Sequence, residues 1–367
     1  MSEELEPDRA PGNGGAGPGG PFDSTLPARL RAGVARAVVG QEEAVELLLV
    51  ALLCRGHALV EDVPGVGKTL LARSLAAALG CRFRRLQLTP DVLPSDITGS
   101  NVFNQKLGEF EFRRGPLFTE VLLADEINRA TPRTQAALLE AMEERQVTVD
   151  GETRRLHDPF LVLATQNPVE LEGTFPLPEA QLDRFCVHVR LGYPSREEED
   201  AVLRRYESDA DLAPDPVTDA EEIRRWQLAR GQVHVADDLR AYLLEVARST
   251  RADPRVELGA SPRAALMLHR AVQARALLSG RSFALPDDVK ALALPVLRHR
   301  LVLRASARLA GDKVEDVLAG VLSTLEVPVE EEARPAEALG QPSAGAPRPA
   351  GARAAEGSPA SRRRWLG

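Results

Sequence analysis

The chain has few aromatic residues, few lysines and almost no cysteine. Phe, Trp and Tyr make up 4% of its 367 residues, so aliphatic side chains must build the core. The 44% hydrophobic content is ample for one and excludes wholesale disorder. Cysteine occurs at Cys54, Cys81 and Cys186 only. This odd, widely spaced set has no C-x-x-C pair and no Cys/His cluster, which argues against a disulfide scaffold and against structural zinc. Reduced, buried thiols in a cytoplasmic protein are the expectation. Long apolar runs are missing too. The best, Ala44 to Cys54, contains Glu46 and falls short of the roughly 20 residues that span a bilayer. The acidic N-terminus lacks the apolar stretch of a signal peptide. Positive charge is the minority sign: 46 Lys and Arg against 54 Asp and Glu give a net charge of −8. That balance argues against nucleic acid as the partner, because duplex binders draw affinity from neutralised phosphates. The basic residues are nearly all Arg, the lysines being Lys68, Lys106, Lys290 and Lys313.

Composition and periodicity divide the chain into four stretches. Residues 1–24 are rich in Gly, Pro and acids and read as a disordered tail. Residues 327–367 mirror them, dominated by Pro, Ala, Gly and Ser. Residues 25–193 alternate helical stretches with short apolar runs. Helices fit Gln41–Cys54 and Lys68–Leu79. Strands fit His57–Val60, Arg82–Leu88, Val121–Ala124, Leu161–Thr165 and Cys186–Val189. Strands separated by helices predict an α/β core, a parallel sheet between helices. Runs such as Val121-Leu122-Leu123-Ala124 suit strands buried on both faces. Residues 194–326 read as helical. Ser195 and Glu198 form a capping box. Ala236–Thr250 and Pro262–Leu278 carry apolar residues at helical spacing, and Pro286 before Asp287 and Asp288 marks a helix start. This predicts a small all-α domain joined near Tyr193-Pro194.

The most informative stretch is Asp62-Val63-Pro64-Gly65-Val66-Gly67-Lys68-Thr69, which follows a predicted strand and opens a predicted helix. Glycines there let backbone N–H groups turn toward an anion, and the helix N-terminus adds partial positive charge. Lys68 can reach terminal phosphates and Thr69 can offer its hydroxyl to Mg²⁺. The strict phosphate-loop pattern begins with Gly, where this chain has Asp62. A second apolar run ends in Asp125-Glu126. Alone, such a pair is often a solvated loop. Downstream of a phosphate loop, Asp125 can hold Mg²⁺ and Glu126 can polarise an attacking water. A third run ends at Ala164-Thr165-Gln166-Asn167-Pro168, where Asn167 could complete the water site. His157, His188 and His269 show no metal spacing.

At this point the chain resembles the AAA+ ATPases, and within them the MoxR-type group, over roughly Leu26 to Leu325. The stretches that carry the resemblance are EDVPGVGKT, LTPDVLPSDITG, FRRGPLF, LLADEINRA, LLEAMEERQVTVDG, ATQNP, FPLPEAQLDRF and SPRAAL. The resemblance implies an AAA+ P-loop core and an all-α lid. It puts Val63, Pro64, Gly65, Val66, Gly67, Lys68, Thr69 and Leu70 on Walker A around ATP, with Val39 and Gly40 beside the adenine. Asp125 and Glu126 fall on Walker B, and Thr69 and Asp125 are the implied Mg²⁺ residues. Asn167 falls on sensor 1 and Arg263 on sensor 2, while Arg184 is the implied arginine finger for a neighbouring subunit's ATP. Arg113, Arg114 and Arg129 rank lower, as interface or trans-acting residues. Asp91 to Phe112 matches an insertion in helix 2, and Gln146 to Leu156 a hairpin before sensor 1.

What the family resemblance implies is an ATP-hydrolysing homo-oligomer, a hexameric ring, with chaperone-like work on protein clients that include von Willebrand factor A-domain proteins. Three alternatives stay open: a metal-chelatase ATPase subunit, a helicase-like motor of the same branch, and a nucleotide-gated scaffold with little turnover.

Overall fold

A computed structural model of the protein describes residues 25–61, 65–167, 173–206 and 214–328. The tail read at 1–24, and all but residues 327 and 328 of the tail read at 327–367, lie outside them, as do Asp62, Val63 and Pro64. In chain order the first elements are α1 (Leu26–Ala35), α2 (Glu42–Leu53), β1 (Ala58–Glu61), α3 (Lys68–Ala78), β2 (Phe83–Gln87), α4 (Pro94–Thr98), β3 (Gly99–Asn104), β4 (Glu109–Arg114) and β5 (Val121–Asp125). There follow α5 (Pro132–Glu144), β6 (Gln146–Val149), β7 (Glu152–Arg155), β8 (Leu161–Gln166), α6 (Glu179–Leu182), β9 (Val187–Val189) and α7 (Arg196–Tyr206). The C-terminal region holds α8 (Ala220–Arg230), α9 (Asp237–Ala252), β10 (Val256–Leu258), α10 (Pro262–Leu278), α11 (Pro286–Leu297), β11 (Val302–Leu303), α12 (Ala305–Ala310) and α13 (Val314–Thr324).

The main sheet has the order β2-β5-β8-β1-β9, and every neighbouring pair in it is parallel. Its central strands are apolar on both faces because both faces are covered. Val121 and Leu123 of β5, with Leu161 and Leu163 of β8, join the core cluster on one side. Leu122, Ala124, Val162 and Ala164 join the cluster on the other, where α5 supplies Leu138 and Met142. The alternation follows from the two-residue period of a strand.

Helix α2 shows how the aliphatic core is made. Its residues Leu47 to Leu53 are all buried, and a helix apolar all round belongs inside. Each such leucine contributes roughly 1.5–3 kcal/mol by leaving water. The same cluster takes in Trp226 of α8 and Leu268 and Val272 of α10, so the α/β part and the helical part share one apolar core. Gln227 of α8 donates to the Leu52 carbonyl at 2.7 Å and satisfies an otherwise orphaned helix-end acceptor.

Two antiparallel hairpins leave the sheet. β3 pairs with β4 from Gly99↔Arg114 to Asn104↔Glu109, inside the stretch expected to be an insertion. β6 pairs with β7 in the expected hairpin before β8. At the base of the first hairpin a Cβ on Gly115 would lie 2.1 Å from the Ile97 carbonyl oxygen, so only glycine fits.

The C-terminal region is helical, with the small β10–β11 ribbon added. The capping box ahead of α7 is formed: Ser195 N–H donates to Glu198 Oε2 at 2.6 Å and Glu198 N–H to Ser195 Oγ at 3.3 Å. α10 spans the predicted residues, and Ser261 caps it by accepting from Ala264 N–H at 3.0 Å.

Candidate active site

The order β5-β8-β1 sets three strands side by side, so their C-terminal ends deliver three loops to one edge of the sheet, where ligands of open parallel sheets bind. Gly65 and Gly67 have φ of +90° and +88°, the left-handed region. A Cβ at either would meet nothing within 4 Å, so conformation and not space selects glycine there. Gly67 caps α3, whose first backbone N–H groups have no helical acceptor.

Lys68, Thr69, Asp125, Glu126 and Asn167 line one pocket of ≈ 340 Å³, together with Gly65, Gly67, Leu70 and Thr165. Five candidate residues from three separate loops therefore meet at one place. A glycine cradle at a helix N-terminus with a lysine beside it fits a nucleotide triphosphate chain. The hard oxygen donors of Thr69 and Asp125 fit Mg²⁺, which takes few protein ligands and completes its shell with water and phosphate. No group of three or more His, Cys, Asp or Glu suited to a metal occurs among the described residues.

The two acids are held in place by neighbouring strands. Asp125 ends a central strand and is buried. Its Oδ1 accepts from Thr165 Oγ1 at 2.6 Å, and Arg85 Nη2 of β2 lies 2.6 Å from its Oδ2. Glu126 adopts a left-handed φ of +59°. Its N–H donates to Thr165 Oγ1 at 2.8 Å, while its Oε2 accepts from Gln87 Nε2 at 2.8 Å and pairs with Arg129 Nε at 3.1 Å. One hydroxyl, Thr165, thus orients both acids. Sequence reasoning missed Arg85, Gln87 and Thr165 as site residues. Arg129, ranked as an interface residue, makes its ion pair within its own chain.

A second pocket of ≈ 460 Å³ adjoins the first through Gly65, Gly67 and Leu70. Val39 and Val66 line it as expected, with Val38, Tyr193, Glu199 and Val202 that the sequence did not single out. Its apolar walls suit a nucleobase. Gly40 has φ +70°, and a Cβ on it would sit 2.2 Å from Glu198 Oε1, so its bareness lets the first turn of α7 close over this side. A signal was present: Tyr193 is a rare aromatic at the junction of the two blocks.

Arg184 and Arg263 are absent from the lining of both pockets. They meet each other instead, on Glu143 of α5: Arg184 Nη1 lies 3.2 Å from Oε2 and Arg263 Nη1 2.9 Å from Oε1. Asp183 ties the same corner together, accepting from Ser261 Oγ at 3.2 Å and pairing with the buried Arg300 at 2.6 Å.

At the end of β1, just before the glycine turn, Glu61 is pulled down to about 2 by its hydrogen bond to His188 and by the Arg190 guanidinium. His188 Nε2 lies 3.0 Å away and Arg190 Nη2 2.9 Å away. Arg190 also reaches Glu315 of α13 at 3.3 Å.

A glycine turn, a lysine, a strand-end acid pair and an asparagine on a parallel sheet define a P-loop nucleotide-triphosphate-hydrolysing core. Residues 57–187 match the family model for ATPases associated with various cellular activities (AAA), and residues 248–319 match the AAA lid domain. The uncharacterized protein YeaC of Bacillus subtilis is 48% identical over 299 residues, covering 81% of this chain and 93% of that protein. The chaperone MoxR1 of Mycobacterium tuberculosis is 43% identical over 305 residues, covering 80% of each. A crystal structure of a candidate ATPase from Cytophaga hutchinsonii superposes with a TM-score of 0.79 at 37% identity, covering 83% of this chain and 96% of that one. The chain belongs to the MoxR branch of the AAA+ ATPases and is an ATP-hydrolysing enzyme. No described helix is long and apolar enough to cross a membrane.

Proposed function

We propose that this ATPase works as a cytoplasmic homohexameric ring that remodels or matures protein clients in a chaperone-like way, with von Willebrand factor A-domain proteins among the candidates. The name of the MoxR1 relative, a chaperone, supports that direction. The observation that carries the reading is a division of labour. Lys68, Thr69, Asp125, Glu126 and Asn167 share one pocket, while Arg184 and Arg263 gather on Glu143 outside it. A chain that keeps both guanidiniums away from its own pocket has them available for a neighbour's.

Val63 to Leu70 wrap the triphosphate, and Val39 and Gly40 flank the base. Lys68 neutralises the terminal phosphates. Thr69 and Asp125 hold Mg²⁺, which when bound screens charge on the transferring phosphoryl group. Glu126 takes the proton of the attacking water, and Asn167 aligns that water. Arg184 and Arg263 stabilise developing charge from the adjacent subunit, and an arginine finger supplies on the order of 10³–10⁵ in rate. Loss of the Arg263 contact on hydrolysis frees the lid to rotate, which moves the β3–β4 and β6–β7 hairpins.

The test is complementation. Lys68→Ala abolishes nucleotide binding, Glu126→Gln binds ATP and stalls, and Arg184→Ala binds ATP without turning it over. Mixing the last two restores part of the activity, because some interfaces then pair an intact Glu126 with an intact Arg184. Normal hydrolysis by Arg184→Ala alone would overturn the assignment across the seam.

A further inference from the structure

The functional reading leaves two buried nucleophiles unused. Cys54 follows the last turn of α2, and Cys186 precedes β9; they are 4% and 0% exposed. The chain turns back sharply after α2, with Cys54 N–H bonded to the Val50 carbonyl at 2.9 Å and Gly56 N–H to Ala51 at 2.8 Å. Cys186 is laid beside this corner by its own N–H, which donates to the His57 carbonyl at 2.7 Å. The approach is so close that a Cβ on Gly56 would lie 2.5 Å from the Cys186 Cβ and 3.3 Å from its Sγ. The two thiols are hydrogen-bonded to each other. Residues 132 positions apart in sequence are thus presented sulfur to sulfur.

We propose that Cys54 and Cys186 form a redox-sensitive dithiol that a hydroperoxide converts reversibly into an internal disulfide joining α2 to β9. The surroundings divide the roles. The hydrogen bond from Cys54 and the nearby guanidiniums of Arg300, Arg230 and Arg270 favour the Cys186 thiolate, whereas burial pushes Cys54 up. Cys186 is therefore the attacking sulfur. Its thiolate displaces hydroxide from hydrogen peroxide and becomes a sulfenic acid, and the hydroxide takes up the released thiol proton as water. Cys54 sulfur then attacks the sulfenic sulfur, breaks its S–O bond and forms S–S, with loss of the second water. Two thiols and one peroxide give one disulfide and two waters. Cys81 has no such partner: burial and the Glu120 and Asp219 carboxylates push its thiol up to about 12. It serves as an internal control.

The bond would fasten the end of α2 to the strand that leads to Leu191 and Tyr193 on the base side. It would also lie one residue from Phe185, whose carbonyl is held by Arg300. Both sulfurs are enclosed, so oxidation proceeds through local opening and is slow.

The experiment treats the full-length, folded, reduced protein with hydrogen peroxide, quenches with catalase, unfolds and alkylates. The accessible thiol count after unfolding falls from three to one, and digestion yields a Cys54–Cys186 linked peptide that dithiothreitol removes. Cys54→Ala and Cys186→Ala each abolish the linked peptide and retain the turnover of the reduced protein. An unchanged count of three, a linked peptide involving Cys81, or oxidation of Cys186 straight to the sulfinic acid with Cys54 still free would each overturn the proposal.

Discussion

Replacing Arg300 with Met asks what holds the Asp183–Arg184 corner in place. Arg300 is 4% exposed. Its Nε pairs with Asp183 Oδ1 at 2.6 Å, and its Nη atoms donate to the carbonyls of Asp183, Phe185, Cys186 and Val296. Methionine matches much of the volume and offers no donor. Removing one partner of a buried ion pair costs about 3–5 kcal/mol, because the other charge is left behind. The Asp183 side chain keeps 21% of its exposure and Ser261 as a donor, which favours the lower half of that range. At about 2–4 °C per kcal/mol the midpoint falls by roughly 6–15 °C. Urea and thermal unfolding of dilute, nucleotide-free protein measure this. Asp183→Asn in the same chain removes the stranded charge, so the double variant should lose less than the sum of the singles, by about 1–3 kcal/mol. Asp183 also holds Ser261, the cap of the helix that carries Arg263, so ATP turnover per folded ring falls as well. A loss under about 1 kcal/mol, or strict additivity of the two changes, refutes the reasoning.

Acid should weaken the fold through His57. Its ring is buried, with Nε2 on the Met142 carbonyl at 3.0 Å and Nδ1 accepting from Val162 N–H at 3.1 Å, and burial followed by the Arg145 charge lowers it to about 3. The unfolded chain takes up that proton near pH 6.5 while the fold refuses it. Stability is therefore complete above pH 6.5 and is lost as pH falls toward 3, at up to about 1.4 kcal/mol per unit. His57→Gln can keep both hydrogen bonds and should flatten urea midpoints between pH 6.5 and 5 by about one proton's worth; an unchanged slope refutes this. Arg85→Ala leaves Asp125 to Thr165 alone. Because an ion pair with an exposed partner is worth up to about 1 kcal/mol, the Mg²⁺ needed for half-maximal binding of a fluorescent ATP analogue should fall by up to about fivefold. A rise in that concentration would show Arg85 to be a helper and not a competitor.

Much of this was legible in the sequence because the informative signals are local. Strands buried on both faces appear as unbroken apolar runs, and a phosphate turn is written in consecutive residues. Strand limits differed by one or two positions, as at β1, which begins at Ala58 and ends at Glu61. The partners of the acids were hidden for a physical reason. Arg85 and Gln87 reach Asp125 and Glu126 only because β2 pairs with β5 and not with its chain neighbour β1. No local pattern announces that crossover. Glu143 was equally silent. It sits among ordinary helix-end acids, and its sharing by Arg184 and Arg263 emerges only when α5, α6 and α10 converge.

The bridge between Glu61 and α13 has a mechanical consequence. Arg190 touches both Glu61 and Glu315, and half of its side chain is open to water. Contacts of that kind trade partners with solvent for about 1 kcal/mol or less, whereas prising apart interlocked leucines would leave voids. The strand that feeds the glycine turn is thus coupled to the last helix by a slipping clutch, stiff enough to pass on a shift and loose enough to reset each cycle.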